Sequence, residues 1–197
     1  MSSFHVPPRN RLLASLPPAS LSRLRLEEIE LPLREVMQVA GEPIRRVCFP
    51  ESGWCSMIAL LEDGDGAEVG LVGREGMIGL PILLGDDRED LEVLVQCPGR
   101  ALVMEADAFR AALDADPLLR ALLLRYALIH LGQVARTAAC NGRHLTEQRL
   151  ARWLLMGHDR AETDGYPMTH EFLSMMLGVR RAGVSVAAGA LQRAGLI

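Results

Sequence analysis

MTHEFLSMMLGVRRAGVSVAAGALQRAGLI, residues 168–197, is the stretch on which the reading of this chain turns. It holds two short apolar-periodic runs parted by Leu177-Gly178-Val179, and two arginines open the second run. Thr169 suits a helix N-cap, with Glu171 near the positive end of that helix. Phe172, Leu173, Met176 and Leu177 supply an apolar face, and Gly178 can take the positive φ that a tight turn requires. The second helix reads from about Arg180 to Ala194, with Val184, Ala187, Ala188 and Leu191 facing inward and Gly195 ending it.

The outward side of that second helix carries Arg180, Arg181, Ala182, Ser185, Val186 and Gly189. In a helix-turn-helix these first turns enter the DNA major groove. An arginine there can bond guanine O6 and N7 together, a small residue lets the backbone approach, and Val186 can touch a thymine methyl. Thr169, Arg180, Arg181, Ala182, Ser185 and Val186 are therefore the candidate DNA-binding residues. An ordinary helical hairpin shares the apolar spacing but does not call for arginines beside small residues on the outer turns.

Working outward toward the N-terminus, Thr146–His158 reads as a helix with Leu150, Trp153, Leu154 and Leu155 on its apolar side, and Asp159–Pro167 as a polar loop. Before it, Asp116-Pro117 begins a longer helix, since Asp caps and Pro suits the first turn. Running to about Ala139, it would be about 35 Å long at 1.5 Å per residue. Two apolar stripes run along it. One is Leu119, Leu122, Tyr126, Ile129 and Gln133; the other is Leu124, Leu128, Leu131, Ala135 and Ala138. One stripe suffices to dock on a neighbouring domain, so two imply a second chain. We expect Leu119, Leu122, Tyr126 and Ile129 at that dimer contact. A helix buried within a single chain is the alternative.

From Ile29 to Met104 the texture is β. Short runs at Val36–Val39, Arg46–Phe49, Trp54–Leu61, Glu68–Val72, Glu92–Gln96 and Arg100–Met104 alternate with turns such as Gly41-Glu42-Pro43, Asp63-Gly64-Asp65-Gly66 and Gly85-Asp86-Asp87. That spacing predicts a sandwich or barrel. Residues 10–26 read as short helices around Pro17-Pro18, and Asp107–Leu113 as one more. The fold class is α+β.

Composition narrows the function. The 197 residues carry no lysine; all 21 basic residues are arginine, against 25 acidic ones, for a net charge of −4. The acidic total disfavours whole-surface attraction to nucleic acid but leaves room for a local basic patch. The Arg, Ala and Leu bias fits a GC-rich bacterial genome. Arg120, Arg125, His130 and Gln133 break the longest apolar stretch, which argues against a membrane, and Met1–Pro8 shows no signal pattern. A cytoplasmic protein is expected. Cys48, Cys55, Cys97 and Cys140 form no C-x-x-C pair, so buried thiols are expected rather than zinc or disulfides. Cys140 and His144, four apart, would share a helix face. No nucleophile-and-base set, P-loop, H-E-x-x-H or dinucleotide fingerprint is present, so no enzyme is expected.

The whole chain resembles the Crp/Fnr family of bacterial transcription regulators. LGVRRAGVSVAAGALQRAGLI resembles that family's recognition segment. NRLLASLP, AGEPIRRVCFPESG and VGLVGREGMIGLPILLG resemble its cyclic-nucleotide-binding β-roll, and EQRLARWLL its connection from the dimer helix. The resemblance implies an N-terminal jelly-roll-like β-roll sensor over residues 1–112, a long dimerisation helix over 113–140, and a winged helix-turn-helix over 141–197 with the wing truncated. It also implies a homodimer on a twofold operator of double-stranded DNA, with RNA polymerase as a further partner.

Three departures qualify what the resemblance implies. Where cyclic-AMP-binding members carry Gly-Glu and Arg-Ser, this chain has Gly79-Leu80 and Glu89-Asp90, with Arg88 adjacent. The dimer-helix positions that meet the base fall at Val134 and Ala135. Gly79, Leu80, Arg88 and Val134 are the candidate ligand pocket, and cyclic AMP is not the expected ligand; a less polar small molecule, or none, is. No cysteine precedes Cys48, which disfavours the iron–sulfur centre of oxygen-sensing members. In the reading helix, Arg181 matches the family's guanine-reading arginine, but Ala182 and Val186 replace its usual glutamate and second arginine. A different operator preference follows. The rival reading is a ligand-binding or dimerisation module that no longer reads DNA.

Overall fold

A computed structural model describes residues 7–62 and 66–197. The expected turn at Asp63–Asp65 and the segment Met1–Val6 lie outside the described residues. Two short helices, α1 (Arg11–Ala14) and α2 (Pro18–Leu21), come first. Asn10 anchors them: its Oδ1 accepts from Leu12 and Leu13 N–H at 3.1 and 3.2 Å, and its amide donates to Pro50 and Gly76 carbonyls.

Among the described residues seven strands follow: β1 (Glu27–Leu31), β2 (Val36–Gln38), β3 (Arg46–Pro50), β4 (Trp54–Leu60), β5 (Gly66–Val72), β6 (Leu91–Cys97) and β7 (Gly99–Glu105). They form two antiparallel sheets, in the orders β1-β7-β3 and β2-β6-β4-β5. Glu27, Glu28 and Glu30 of β1, readable in the sequence as the solvated face of a strand edge, are exposed, while Leu31 alone is buried. Between the sheets, Leu31, Cys48, Cys55, Met57, Val72, Val93, Val95 and Val103 make a continuous apolar filling. Helix α3 (Leu80–Leu84) closes one end. Gly41, Gly53 and Gly85 take positive φ in the turns, as Gly-marked breaks require.

Helices α4 (Ala106–Ala115) and α5 (Pro117–Arg143) leave β7. Asp116 caps α5 by accepting from Leu118 and Leu119 N–H at 3.0 and 3.2 Å. By length and mean hydropathy α5 would pass for a membrane span, but Leu119, Leu123 and Tyr126 bury one side of it against its own β-roll. This corrects the expected dimer contact. Leu119 and Tyr126 lie in the core, Leu122 is half-buried against it, and only Ile129 of that set faces solvent. The uncovered face is the second stripe, with Leu124, Leu128, Leu131, Ala135 and Ala138 all exposed. The reason is Tyr126, whose hydroxyl donates to the Met77 carbonyl at 3.3 Å and so commits its stripe to the β-roll. Gln133 adds a two-point clamp on the edge of β5, accepting from Leu71 N–H at 3.2 Å and donating to Leu71 O at 3.0 Å.

The C-terminal third is α6 (Thr146–His158), α7 (His170–Leu177) and α8 (Arg181–Arg193). Leu150 and Trp153 of α6, Leu173, Met176 and Leu177 of α7, and Val184, Ala187, Ala188 and Leu191 of α8 share one core. Leu155, expected on the apolar side of α6, is instead exposed, because two residues past Trp153 the helix has turned it to the opposite side, about 200° round. This core continues into the β-roll through Ile58 and Leu94, so the helical third rests on the β4–β6 face. Tyr166 stacks edge-on against Trp54 with ring centroids 5.4 Å apart, and Arg160 pairs with Glu75 at 2.5 Å.

Candidate nucleic-acid interface

The interface is built around a turn. Thr169 Oγ1 accepts from Phe172 N–H at 3.2 Å and starts α7. Gly178 ends it in the left-handed conformation at φ 58°. Gly178 N–H then bonds the Met175 carbonyl at 3.1 Å, and Val179 N–H the Ser174 carbonyl at 3.0 Å, which ties off the free helix carbonyls. Arg149 of α6 donates to the Leu177 carbonyl and pins the same turn from a third helix. The positive φ favours glycine here, and a Cβ on Gly178 would come within 3.2 Å of Ala67 Cβ, a tight contact.

Helix α8 then emerges with its two sides sorted by polarity. Val184, Ala187, Ala188 and Leu191 are buried. Arg180, at the N-cap position, is exposed, as are Arg181, Ala182, Ser185 and Val186 on the first turns. Positions 181, 182, 185 and 186 fall on one helix face because residues four apart stack one turn above another. Val186 leaves 72 % of its surface in water. Every DNA-binding candidate from the sequence lies on this surface, Thr169 included; Gly189 is half-buried.

One participant has no signal in the sequence. His170 Nδ1 lies 3.0 Å from Ser185 Oγ, and that hydroxyl is 3.2 Å from the Arg181 carbonyl. The hydroxyl has one proton. If His170 Nδ1 carries hydrogen, it donates to Ser185, which passes its own proton to Arg181 O. If not, Ser185 donates to Nδ1. Either way the proton is taken within the protein, and Ser185 keeps acceptor capacity only. No helical periodicity relates residues 170 and 185, since the pairing depends on how α7 crosses α8.

The expected ligand-pocket residues fall on separate elements. Gly79 is the left-handed start of α3, Leu80 is buried in the core, and Val134 lies along α5 toward Gly70. Arg88 points away: it donates to the Gly41 carbonyl at 2.9 Å and sits 3.7 Å from Asp87, largely in solvent. A cyclic phosphate at this end would meet Glu89, which accepts from Gln38 Nε2 at 3.0 Å. Burial raises the Glu89 carboxyl and neighbouring Asp90 raises it further, so the site already holds more negative charge than it tolerates well. With the interior filled by Cys55, Met57, Val72 and Val93, the residues present do not fit a cyclic nucleotide. A cavity of about 360 Å³ lies elsewhere, between α2 and α4, lined by Ser20, Arg23, Leu24, Met104, Ala108 and Asp116.

The four cysteines are free; Cys48 and Cys55 are buried, and burial pushes the Cys55 thiol up to about 12. His144 lies just past the end of α5 in extended backbone, so it leaves the helix face that Cys140 occupies. Among the described residues no cluster of three or more His, Cys, Asp or Glu could hold a metal.

Comparison with known proteins supplies a second line. Residues 28–116 match the cyclic nucleotide-binding domain, and residues 148–197 match the Crp-like helix-turn-helix domain. No curated protein matches the sequence. The structure is similar to FixK2 from Bradyrhizobium japonicum, with a TM-score of 0.75 and 20% identity over 87% of each chain. It is similar to the c-di-GMP-responsive regulator CLP from Xanthomonas campestris, with a TM-score of 0.73 and 17% identity over 91% of this chain and 94% of that one. A CRP/FNR-family transcriptional regulator from Thermus thermophilus gives a TM-score of 0.69 and 22% identity, over 86% and 87%.

Proposed function

The chain belongs to the Crp/Fnr family of DNA-binding transcription regulators, and on that premise we propose that it reads duplex DNA as a homodimer through the outer face of α8. The observation that carries this reading is the sorting of α8: an apolar row buried in the helical core, and Arg181, Ala182, Ser185 and Val186 together in solvent. Arg181 bonds a guanine edge, Val186 meets a thymine methyl, and Thr169 approaches a phosphate from the start of α7. Arg180, at the cap, contacts backbone phosphate. The second copy packs on Leu124, Leu128 and Leu131 of α5 and sets the two reading helices about one DNA turn apart, ~34 Å. The protein acts in the cytoplasm, and no catalysis is assigned to it.

The β-roll, in this proposal, does not take cyclic AMP. Leu80 stands where the ribose hydroxyl would need a carboxylate acceptor, Glu89 stands where the phosphate would need a cationic donor, and Glu89 is already raised by burial. The test selects an operator from a random-sequence duplex library and measures affinity for it across a salt series. A twofold operator bound with a steep salt slope supports the regulator. Equal affinity for operator and random duplex at low salt supports instead a sensing or dimerisation module that no longer reads DNA. Calorimetry with cyclic AMP is expected to show no binding heat.

A further inference from the structure

At the joint between the β-roll and the helical third sits a carboxyl that neither half needs by itself. Glu68, on β5, is buried with 5 % of its surface exposed. It accepts from Ser56 Oγ of β4 at 2.6 Å and from Trp153 Nε1 of α6 at 3.0 Å. The second bond joins residues 85 positions apart, one in each half of the molecule. Gln96 of β6 lies against Ser56. Ile58, Leu150, Leu173 and Met176 make up the apolar surroundings of Trp153.

A buried carboxylate is ordinarily paired with a cation. Among the described residues, none stands at ion-pair distance from Glu68. Arg160 and Arg152 of α6 act on it only from farther off; Arg160 is engaged by Glu75 at 2.5 Å and Arg152 by Thr137 Oγ1 at 3.3 Å. The other titratable neighbour is His130 of α5, which packs on Gly70, two residues along β5. Both His130 ring nitrogens lack a hydrogen-bond partner and burial lowers its affinity for a proton, so it adds little positive charge. β4 presents the neutral Ser56, and β6 presents Gln96 and, one strand beyond Ile58 in the row of Glu68, the half-buried carboxyl of Glu92, which adds no positive charge. The joint therefore accommodates Glu68 better with a proton than without one.

We propose that Glu68 is a proton-operated latch between the β-roll and the reading helices, so that the β-roll of this regulator reports hydrogen-ion activity in place of a nucleotide. The latch itself stands on the Glu68–Trp153 joint. Its consequence for DNA rests on the reading of α8 given above.

Burial pushes Glu68 up to about 7, against the pull of its two hydrogen bonds and the two arginines. Swinging α6 away would return the carboxyl to water and to its ordinary value of 4.5. The docked state thus holds a proton that the undocked state releases. Docking is favoured at low pH and loses that advantage as pH rises through 7. Docking also fixes α8 with its reading face in solvent. A freed helical third would have to be ordered again on binding, which costs affinity. DNA affinity should therefore rise as pH falls.

The chain has two tryptophans, Trp54 and Trp153, so a nitrogen-15 spectrum holds two indole signals and Trp153→Phe assigns them. In the full chain the Trp153 signal should titrate with a midpoint near 7. Glu68→Gln keeps both hydrogen bonds but carries no titrating proton, so it should abolish the titration. Operator affinity should fall roughly tenfold from pH 6 to pH 8 in the parent chain, the value linkage gives for this shift, and change far less in Glu68→Gln. A Trp153 signal that does not move between pH 6 and 8, or moves equally in Glu68→Gln, overturns the latch. An indole titration removed by Glu68→Gln, in a chain that fails to bind any operator, upholds the latch and refutes the DNA reading instead. A pH-dependent affinity unchanged by Glu68→Gln assigns the effect to other groups and overturns the proposal.

Discussion

Arg181 and Ser185 illustrate how differently two exposed side chains can depend on their surroundings. Arg181 projects from the first turn of α8, and its chemistry is that of any guanidinium aimed at a guanine edge. Arg181→Ala should cost about 1–3 kcal/mol of discrimination, or roughly 10–100-fold, read by anisotropy as the ratio of operator to random-duplex affinity. Ser185 is conditional. With its proton held by His170 or by the Arg181 carbonyl, it can only accept toward DNA, so it selects a base-edge donor, cytosine N4 or adenine N6. His170→Ala should relax the preference at the same base position as Ser185→Ala, by about 1 kcal/mol. The double variant should lose little more than either single one, because both act on a single contact. Library selection on the three proteins reads this directly; loss of preference at two separate positions would mean that His170 does not govern Ser185.

At the scale of elements, α5 decides the assembly. Its two apolar stripes are equally visible in the sequence, but only one is filled from within. Leu123 is fully buried among core residues, and Leu128 leaves 70 % of its surface exposed. Leu128→Glu should leave the chain folded and shift it to single copies, measured by light scattering. Leu123→Ala should cost about 2–5 kcal/mol of stability through the cavity it leaves, measured by denaturant unfolding. If Leu128→Glu stays dimeric, α5 is not the contact between copies. The clamp of Gln133 on Leu71 adds a coupling between elements, since any shift of α5 along the β-roll must break two hydrogen bonds to the edge of β5.

At the scale of the whole molecule, the apolar core running from Ile58 into α6, α7 and α8 makes the helical third part of a single packed body in this arrangement. Glu68 gives that packing a pH dependence whose sign is fixed. Its carboxyl binds protons more tightly folded than unfolded, so its contribution is fully present below the unfolded value of 4.5. It is lost as pH rises through about 7. At 1.36 kcal/mol per unit, the loss is on the order of 3 kcal/mol by pH 8. Glu68→Gln should therefore raise the unfolding temperature at pH 8 more than at pH 5. An equal change at both pH values would place the effect in packing rather than in the proton.

Local chemistry wrote much of this into the sequence. Gly178 needs a positive φ, Thr169 and Asp116 are side chains that cap, and the 3.6-residue rhythm of Val184, Ala187, Ala188 and Leu191 orients α8 without reference to anything distant. The strands from Val36 onward were legible for the same reason, through short β-prone runs between turn residues. What the tertiary structure decided are the choices that rhythm leaves equal or cannot express. Which stripe of α5 is covered depends on Tyr126 finding the Met77 carbonyl, and β1 is a strand because β7 pairs with it, not because EEIEL alternates convincingly. The bond of Arg88 to the Gly41 carbonyl, the His170–Ser185 pair and the Glu68–Trp153 joint each depend on how elements far apart in the chain cross. Periodicity describes the faces of a single element, and contacts between faces exist only once the chain has packed.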